Sequence, residues 1–268
     1  MSRNVTVLRW AVHLSTAVIV LGVAVSIGWI FHVESLKRVL PGLESMKLNT
    51  ALGFILAGTV IHFGRRAKHV AVIFVCASVI GVLGGLTLAE YVFGWDLRID
   101  QLILEDTSTH MFPGRMSPIT ALAFSFTGAC LLLGQFRSMA AVRVRETLAL
   151  LVAVLGLSSL IGYLYSVVPF YRVSSYTATA LHTSAGLIVL GLAMLTSQSG
   201  STVTLLTSQA AGRITARRLL PWAIAIPVFV GWLWVLGESY GWYETRVGAG
   251  LVVVAMIVVF SAAIYWNA

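Results

Sequence analysis

The sequence predicts an all-α, polytopic membrane helix bundle of eight transmembrane helices built as repeated helical hairpins. Three observations carry that prediction. The 268-residue chain is 58% hydrophobic and 10% charged, with a mean hydropathy of +0.91, more apolar surface than a water-facing domain of this length buries. Apolar runs of bilayer-spanning length fall at about 10–31, 46–64, 70–94, 117–136, 147–168, 177–197, 219–237 and 247–266. Finally, Met46–Gly58 is matched by Met116–Gly128 at six of thirteen positions, each copy preceded by a Pro-Gly pair (Pro41-Gly42, Pro113-Gly114).

Taken in order, the run at 10–31 is longer than the apolar core of a signal peptide, about 7–15 residues, and no polar mature segment follows it. It reads as a retained helix. The run at 46–64 opens with the first copy of the repeat, and 117–136 with the second. Between them, 70–94 carries Gly81-x-x-x-Gly85, which permits close helix approach. The run at 147–168 leads outward to 177–197, where a degraded third copy places Thr183 in the Thr position and Gly191 in the Gly position. The Thr residues Thr50, Thr120 and Thr183 are 70 and then 63 residues apart, the length of one helix-loop-helix unit. Pro221 opens the seventh run and Pro227 inside it predicts a kink. The longest outer loop, Trp95 to Met116, is about 22 residues; residues 1–268 read as a single transmembrane domain.

Charge predicts the orientation. With the N-terminus inside, eleven basic residues fall on inner segments and seven on outer ones, the bias that favours a cytoplasmic N-terminus. An even number of spans returns the C-terminus to the same side. The net charge of +8 then reads as orientation plus contact with anionic lipid head groups, with no nucleic-acid partner. Trp10, Trp29, Trp95, Trp222, Trp242 and Trp266 fall near span ends, as in an interfacial aromatic belt. Cys76 and Cys130 lie inside spans, so no disulfide framework follows.

The outer face concentrates polar chemistry. Glu90 lies near the exit of the third span and His182 near the entry of the sixth, at a depth comparable with Thr50, Thr120 and Thr183. An ionisable residue within a span is a functional candidate. Around that layer lie Trp95, Asp96, Asp100, His110, Arg115 and Met116, with Tyr163, Tyr165 and Tyr171 close in sequence to the fifth span's exit. The candidate ligand-binding set is Glu90, Trp95, Asp96, His110, Arg115, Met116, Thr120, His182 and Thr183. The bland alternative is that Glu90 pairs with Arg115 or His182 to tie helices together. His13 and His62, on adjacent helices near the inner face, make a bis-His haem geometrically conceivable, and His69 with Cys76 is a weak metal pair. Haem or quinone is therefore the cofactor alternative, and the metal is unknown. There is no phosphate-cradling glycine loop, nucleophile elbow or His-Glu-x-x-His motif, so no enzyme working by those routes is expected.

Several phrases together resemble the multi-helix membrane sensor region at the N-terminus of many bacterial histidine kinases and diguanylate cyclases. They are Glu90–Asp100, Pro113–Leu122 (Pro-Gly-Arg-Met-Ser-Pro being its most specific part), Leu181-His182-Thr183, Arg217–Pro221 and Gly237–Thr245. The resemblance covers most of the chain from about residue 46. It implies a sensor domain in the bacterial inner membrane, both termini cytoplasmic, acting as a homodimer and binding a small or membrane-soluble ligand on its outer side. Such a sensor is expected to continue past Trp266-Asn267-Ala268 into cytoplasmic output domains. A small transporter is the further alternative, suggested by the internal repeats.

Overall fold

The computed structural model of the chain describes residues 2–64, 70–106, 112–136, 138–173, 176–197 and 211–241, together with 252, 254 and 256. Every regular element described is helical: α1 (Ser2–Ile30), α2 (Glu34–Lys37), α3 (Leu48–Phe63), α4 (Val70–Phe93), α5 (Pro118–Leu132), α6 (Met139–Leu164), α7 (Leu181–Ser197) and α8 (Ala211–Ser239), with 3-10 turns at Leu133–Gln135 and Val168–Phe170. Four helical stretches are long and apolar enough to cross a membrane: Arg9–Ile30, Val70–Phe93, Pro118–Gln135 and Met139–Leu164. Leu48–Phe63, Leu181–Ser197 and Ala225–Ser239 are apolar but shorter. The eighth expected span, 247–266, lies almost wholly outside the described residues. The chain divides into two compact units, Met1–Ser201 and Thr202–Ala268.

In the first unit α1 pairs with α3, α4 with α5, and α6 with α7. Each pair is a hairpin of one longer and one shorter helix, and the three are built alike. A Cβ added to Gly22 would stand 2.5 Å from the Ala51 carbonyl oxygen, one at Gly84 2.5 Å from that of Ala121, and one at Gly156 2.6 Å from that of Ser184. These partners are the residues directly after Thr50, Thr120 and Thr183. Two turns on, the Gly of each repeat returns the contact: Gly58 lies against Ser15 and Ile19, Gly128 against Ala77 and Gly81, and Gly191 against Ala149 and Ala153. Small residues let the two backbones touch, which in an apolar solvent is where helix pairing gains its dispersion energy. The expected Gly81/Gly85 pair is thus corrected. Gly81 does pack on Gly128, but nothing lies within 4 Å of a Cβ at Gly85, and the close approach belongs to Gly84.

The short helices meet one another. Phe54 and Phe124 stand edge to face at 5.5 Å. Phe124 covers Gly53 of α3, and Phe54 covers Gly186 of α7. Gly53 and Gly186 occupy the same position of the repeat, three residues after its Thr. Phe54, Phe124 and Leu187, four residues after it, are all fully buried. The centre of the unit is therefore the inner faces of α3, α5 and α7. The longer helices turn apolar side chains such as Val20, Val75, Val82 and Leu150 outward, a surface suited to lipid.

The short helices start late because the chain enters the bundle extended. Residues 44–47, 115–117 and 177–180 are non-helical and almost all buried, so the expected spans at 46–64 and 177–197 shorten to Leu48–Phe63 and Leu181–Ser197. Buried extended backbone needs partners. One aromatic donor of each long helix supplies one: Trp29 Nε1–H donates to the Met46 carbonyl at 2.8 Å, Tyr91 O–H to that of Met116 at 2.9 Å, and Tyr163 O–H to that of Thr179 at 2.6 Å. Trp29 is therefore a core residue, 7% exposed, and not part of the aromatic belt to which its place near a span end assigns it. Trp10 and Trp95 are exposed. The glycine of each Pro-Gly pair is needed for its backbone, since Gly42 and Gly114 take φ of 86° and 72°, a region that penalises any Cβ.

In the second unit, α8 runs unbroken as helix from Ala211 past Pro221 and Pro227 to Ser239, longer than the expected 219–237. Gly241, at φ 68°, follows its last turn, with the Gly241 N–H donating to the Glu238 carbonyl, a left-handed helix ending.

Candidate functional site

The three hairpins differ most at their corners. From the aromatic donor to the carbonyl it serves is 17 residues in the first hairpin and 16 in the third. Both short corners hold a tight turn, α2 or the Val168–Phe170 3-10 turn, and each begins from a glycine: the Val33 N–H donates to the Gly28 carbonyl and the Val167 N–H to the Gly162 carbonyl. In the second hairpin the separation is 25 residues, and the position of Gly28 and Gly162 is taken by Glu90, a carboxylate 1% exposed. The extra chain, 94–116, builds the site.

Glu90 Oε1 accepts the Leu97 N–H at 2.8 Å and lies 3.2 Å from Arg115 NH2. Arg115 Nε donates to Asp100 Oδ2 at 2.6 Å. One guanidinium thus bridges two buried carboxylates, which also hydrogen-bond each other; no other donor serves the second oxygen of each, Glu90 Oε2 and Asp100 Oδ1. Burial pushes the Asp100 carboxyl up from its ordinary value, against the pull of Arg115. The Arg115 guanidinium also lies 5.4 Å from the centre of the Tyr91 ring and 4.9 Å from that of Phe112, within cation–π range. Tyr91, Phe112 and Tyr176 pack together with centroids 4.6 to 5.9 Å apart. Beneath the loop, Lys47 Nζ reaches Asp106 Oδ2 at 3.0 Å and Glu44 Oε1 at 3.4 Å, while the Gly114 N–H donates to Asp106 Oδ2 at 2.9 Å. This buried ionic cluster pins the long corner to the first one.

Above these contacts is a cavity of about 620 Å3, within the range of small-molecule sites. Glu90, Trp95, Asp96 and Arg115 of the expected ligand set line it, together with Asp100 and Glu105. Met116 and Thr120 are buried just behind: the Met116 carbonyl accepts from Tyr91, and Thr120 Oγ1 joins Ser117 Oγ at 2.8 Å, itself 2.7 Å from Thr179 Oγ1. Thr183 is buried in α7 and is not among the cavity's lining residues. His182 does not line it either; its buried ring lies within hydrogen-bond reach of the Lys37 backbone. His110 lies outside the described residues. The aromatic wall is also corrected. Tyr163 and Tyr171 stack on each other at 4.1 Å in the third hairpin, and the rings at the cavity are Tyr91, Trp95, Phe112 and Tyr176.

His62 directs Nδ1 to Ser15 Oγ at 3.3 Å and Thr16 Oγ1 at 3.4 Å, while His13 is exposed. His69 lies outside the described residues. Among the described residues no three His, Cys, Asp or Glu side chains group closely enough to hold a metal ion.

Sequence alone does not single out Tyr91, Lys47 or Asp106. A usable signal is present: Val-Leu-Gly occurs at Val20–Gly22, Val82–Gly84 and Val154–Gly156, and an aromatic donor follows each glycine by seven residues. The same tripeptide recurs in α8 at Val235–Gly237. No family model, no curated protein and no solved structure matches the chain.

Proposed function

We propose that this chain is a membrane-embedded sensing domain of bacterial type that binds a small ligand in the Glu90–Asp100–Arg115 cavity and passes a change in helix packing inward. In this reading it has eight spans, both termini are cytoplasmic, the cavity faces the outside and the domain acts as a homodimer whose output domains lie beyond residue 268. The observation that carries the reading is the break in the repeat. Two corners close tightly on glycine, whereas the third replaces glycine with a buried carboxylate and builds a cavity around it. A packed apolar bundle gains nothing in stability from two carboxyl groups buried side by side, so a role in recognition accounts for them better. A ligand drives such a switch only through different affinity for two packings. Arg115 is suited to report one, since it joins α4, the long corner and the start of α5.

The test is a reporter fusion in which a diguanylate cyclase follows residue 268. Glu90→Gln and Arg115→Ala are expected to shift cyclase output at least threefold, in either direction, with membrane insertion unchanged. Wild-type output from both inserted variants would defeat the reading. The three-hairpin repeat also suits a small transporter. Substrate flux in proteoliposomes with no effect of ligand on a fused output would favour that second reading.

A further inference from the structure

Resting on the ligand-site reading above, we infer that the cavity selects a small organic cation, an ammonium- or amidinium-bearing molecule with an apolar or aromatic body. The inference follows from which polar atoms are already used. Arg115 is the cation resident at the site, and two of its nitrogens are engaged by the carboxylates: Nε is bonded to Asp100 Oδ2 and NH2 pairs with Glu90 Oε1. What remains on these two carboxyls is acceptor only: Glu90 Oε2 and Asp100 Oδ1 lie just beneath the cavity surface, served by no donor except the hydrogen bond that the two groups make with each other, and Glu90 is more than nine-tenths buried. Two carboxyls that share one hydrogen bond repel each other once both ionise, and a group that relieves them carries N–H donors and positive charge.

The other charged lining groups point the same way. Among the described lining residues, Asp96 and Glu105 add two carboxylates against the single further cation Arg98. Even with one proton held between Glu90 and Asp100, the lining keeps an excess of negative charge. An anion would face that excess. A metal ion is disfavoured by the spread of the acids, since no three described acidic or imidazole side chains gather at one point. The volume, about 620 Å3, exceeds what a bare ammonium fills, and the rings of Tyr91, Trp95, Phe112 and Tyr176 offer an apolar wall for the remainder.

The experiment is calorimetric titration of the whole detergent-purified chain at neutral pH with benzylammonium, benzyl alcohol and benzoate, three probes of one shape and three charges. Benzylammonium is expected to bind at least tenfold tighter than the alcohol and benzoate not measurably. Glu90→Gln should weaken the cation at least tenfold, and the weakening must appear in a variant whose unfolding midpoint equals that of the wild type. If Glu90→Gln fails to fold, Asp100→Asn serves the same purpose. Equal binding of all three probes, or preference for benzoate, overturns the cation inference and leaves the cavity as a ligand site. Silence from all three overturns both the inference and the ligand-site reading on which it rests.

Discussion

Tyr91 shows how much of this site depends on single atoms. Its hydroxyl is the donor for the buried Met116 carbonyl, and its ring backs Arg115. Tyr91→Phe keeps the ring and removes the donor, leaving a carbonyl unpartnered in an extended buried segment. The expected loss is about 1–3 kcal/mol, read as a lower unfolding midpoint in detergent, and Tyr163→Phe should behave alike through Thr179. A midpoint unchanged in both would mean that water reaches these carbonyls. Asp100 gives a prediction in pH. Its carboxyl is raised above the ordinary 3.8, so the folded state holds the proton more tightly than the unfolded chain. That contribution is greatest below 3.8 and is lost as pH rises toward the raised value. Wild type should therefore lose stability relative to Asp100→Asn as pH is raised from about 4 to 7. The opposite trend would show that Arg115 outweighs burial.

At the scale of the element, the decisive feature is which face of each long helix is small. Gly84→Ala would drive a methyl into the Ala121 carbonyl, whereas Gly85→Ala meets nothing. The first is expected to destabilise by about 1–3 kcal/mol. The second should be neutral or stabilise by up to about 1 kcal/mol through helix propensity. Thermal unfolding of the two variants decides it, and equal effects would remove the α4–α5 contact from the account. The inner helices were legible in sequence because the Met, Thr, Ala, Phe and Gly positions shared by Met46–Gly58 and Met116–Gly128 are all buried. The outer helices were not, because their repeat rests on Val-Leu-Gly alone. Their offset is also out of step with the inner one, since the corner between them lengthens by eight residues and then shortens by nine. Glu90, Trp95, Asp96 and Arg115 could be read as site residues from charge at a span end. Lys47 and Asp106 could not, since nothing local in the chain says that one corner folds over another. Nor could the separation of His182 from the cavity, because similar depth in a bilayer does not fix position around a bundle.

For the molecule as a whole, the three hairpins of Met1–Ser201 place the corners 31–47, 94–117 and 165–180 at one end and the connections near 65, 137 and the end of α7 at the other. The excess of arginine at the latter predicts that it is cytoplasmic. In a background lacking Cys76 and Cys130, a cysteine at Glu105 should react with a membrane-impermeant maleimide in intact cells. One at Met139 should react only after permeabilisation. Reversed labelling would invert the orientation, and labelling of both in intact cells would contradict a membrane-spanning helix between them.

The unequal corners have a consequence for divergence. Each hairpin is closed by its own glycine contact and its own aromatic-to-carbonyl bond, so change within 94–116 that keeps Asp106 for Lys47 leaves the other two pairs intact. Such a chain can accept insertion, deletion and exchange at one corner while the remaining two keep the bundle in register. Ligand preference in molecules of this build is then a property of an interchangeable cassette, free to vary faster than the framework that holds it.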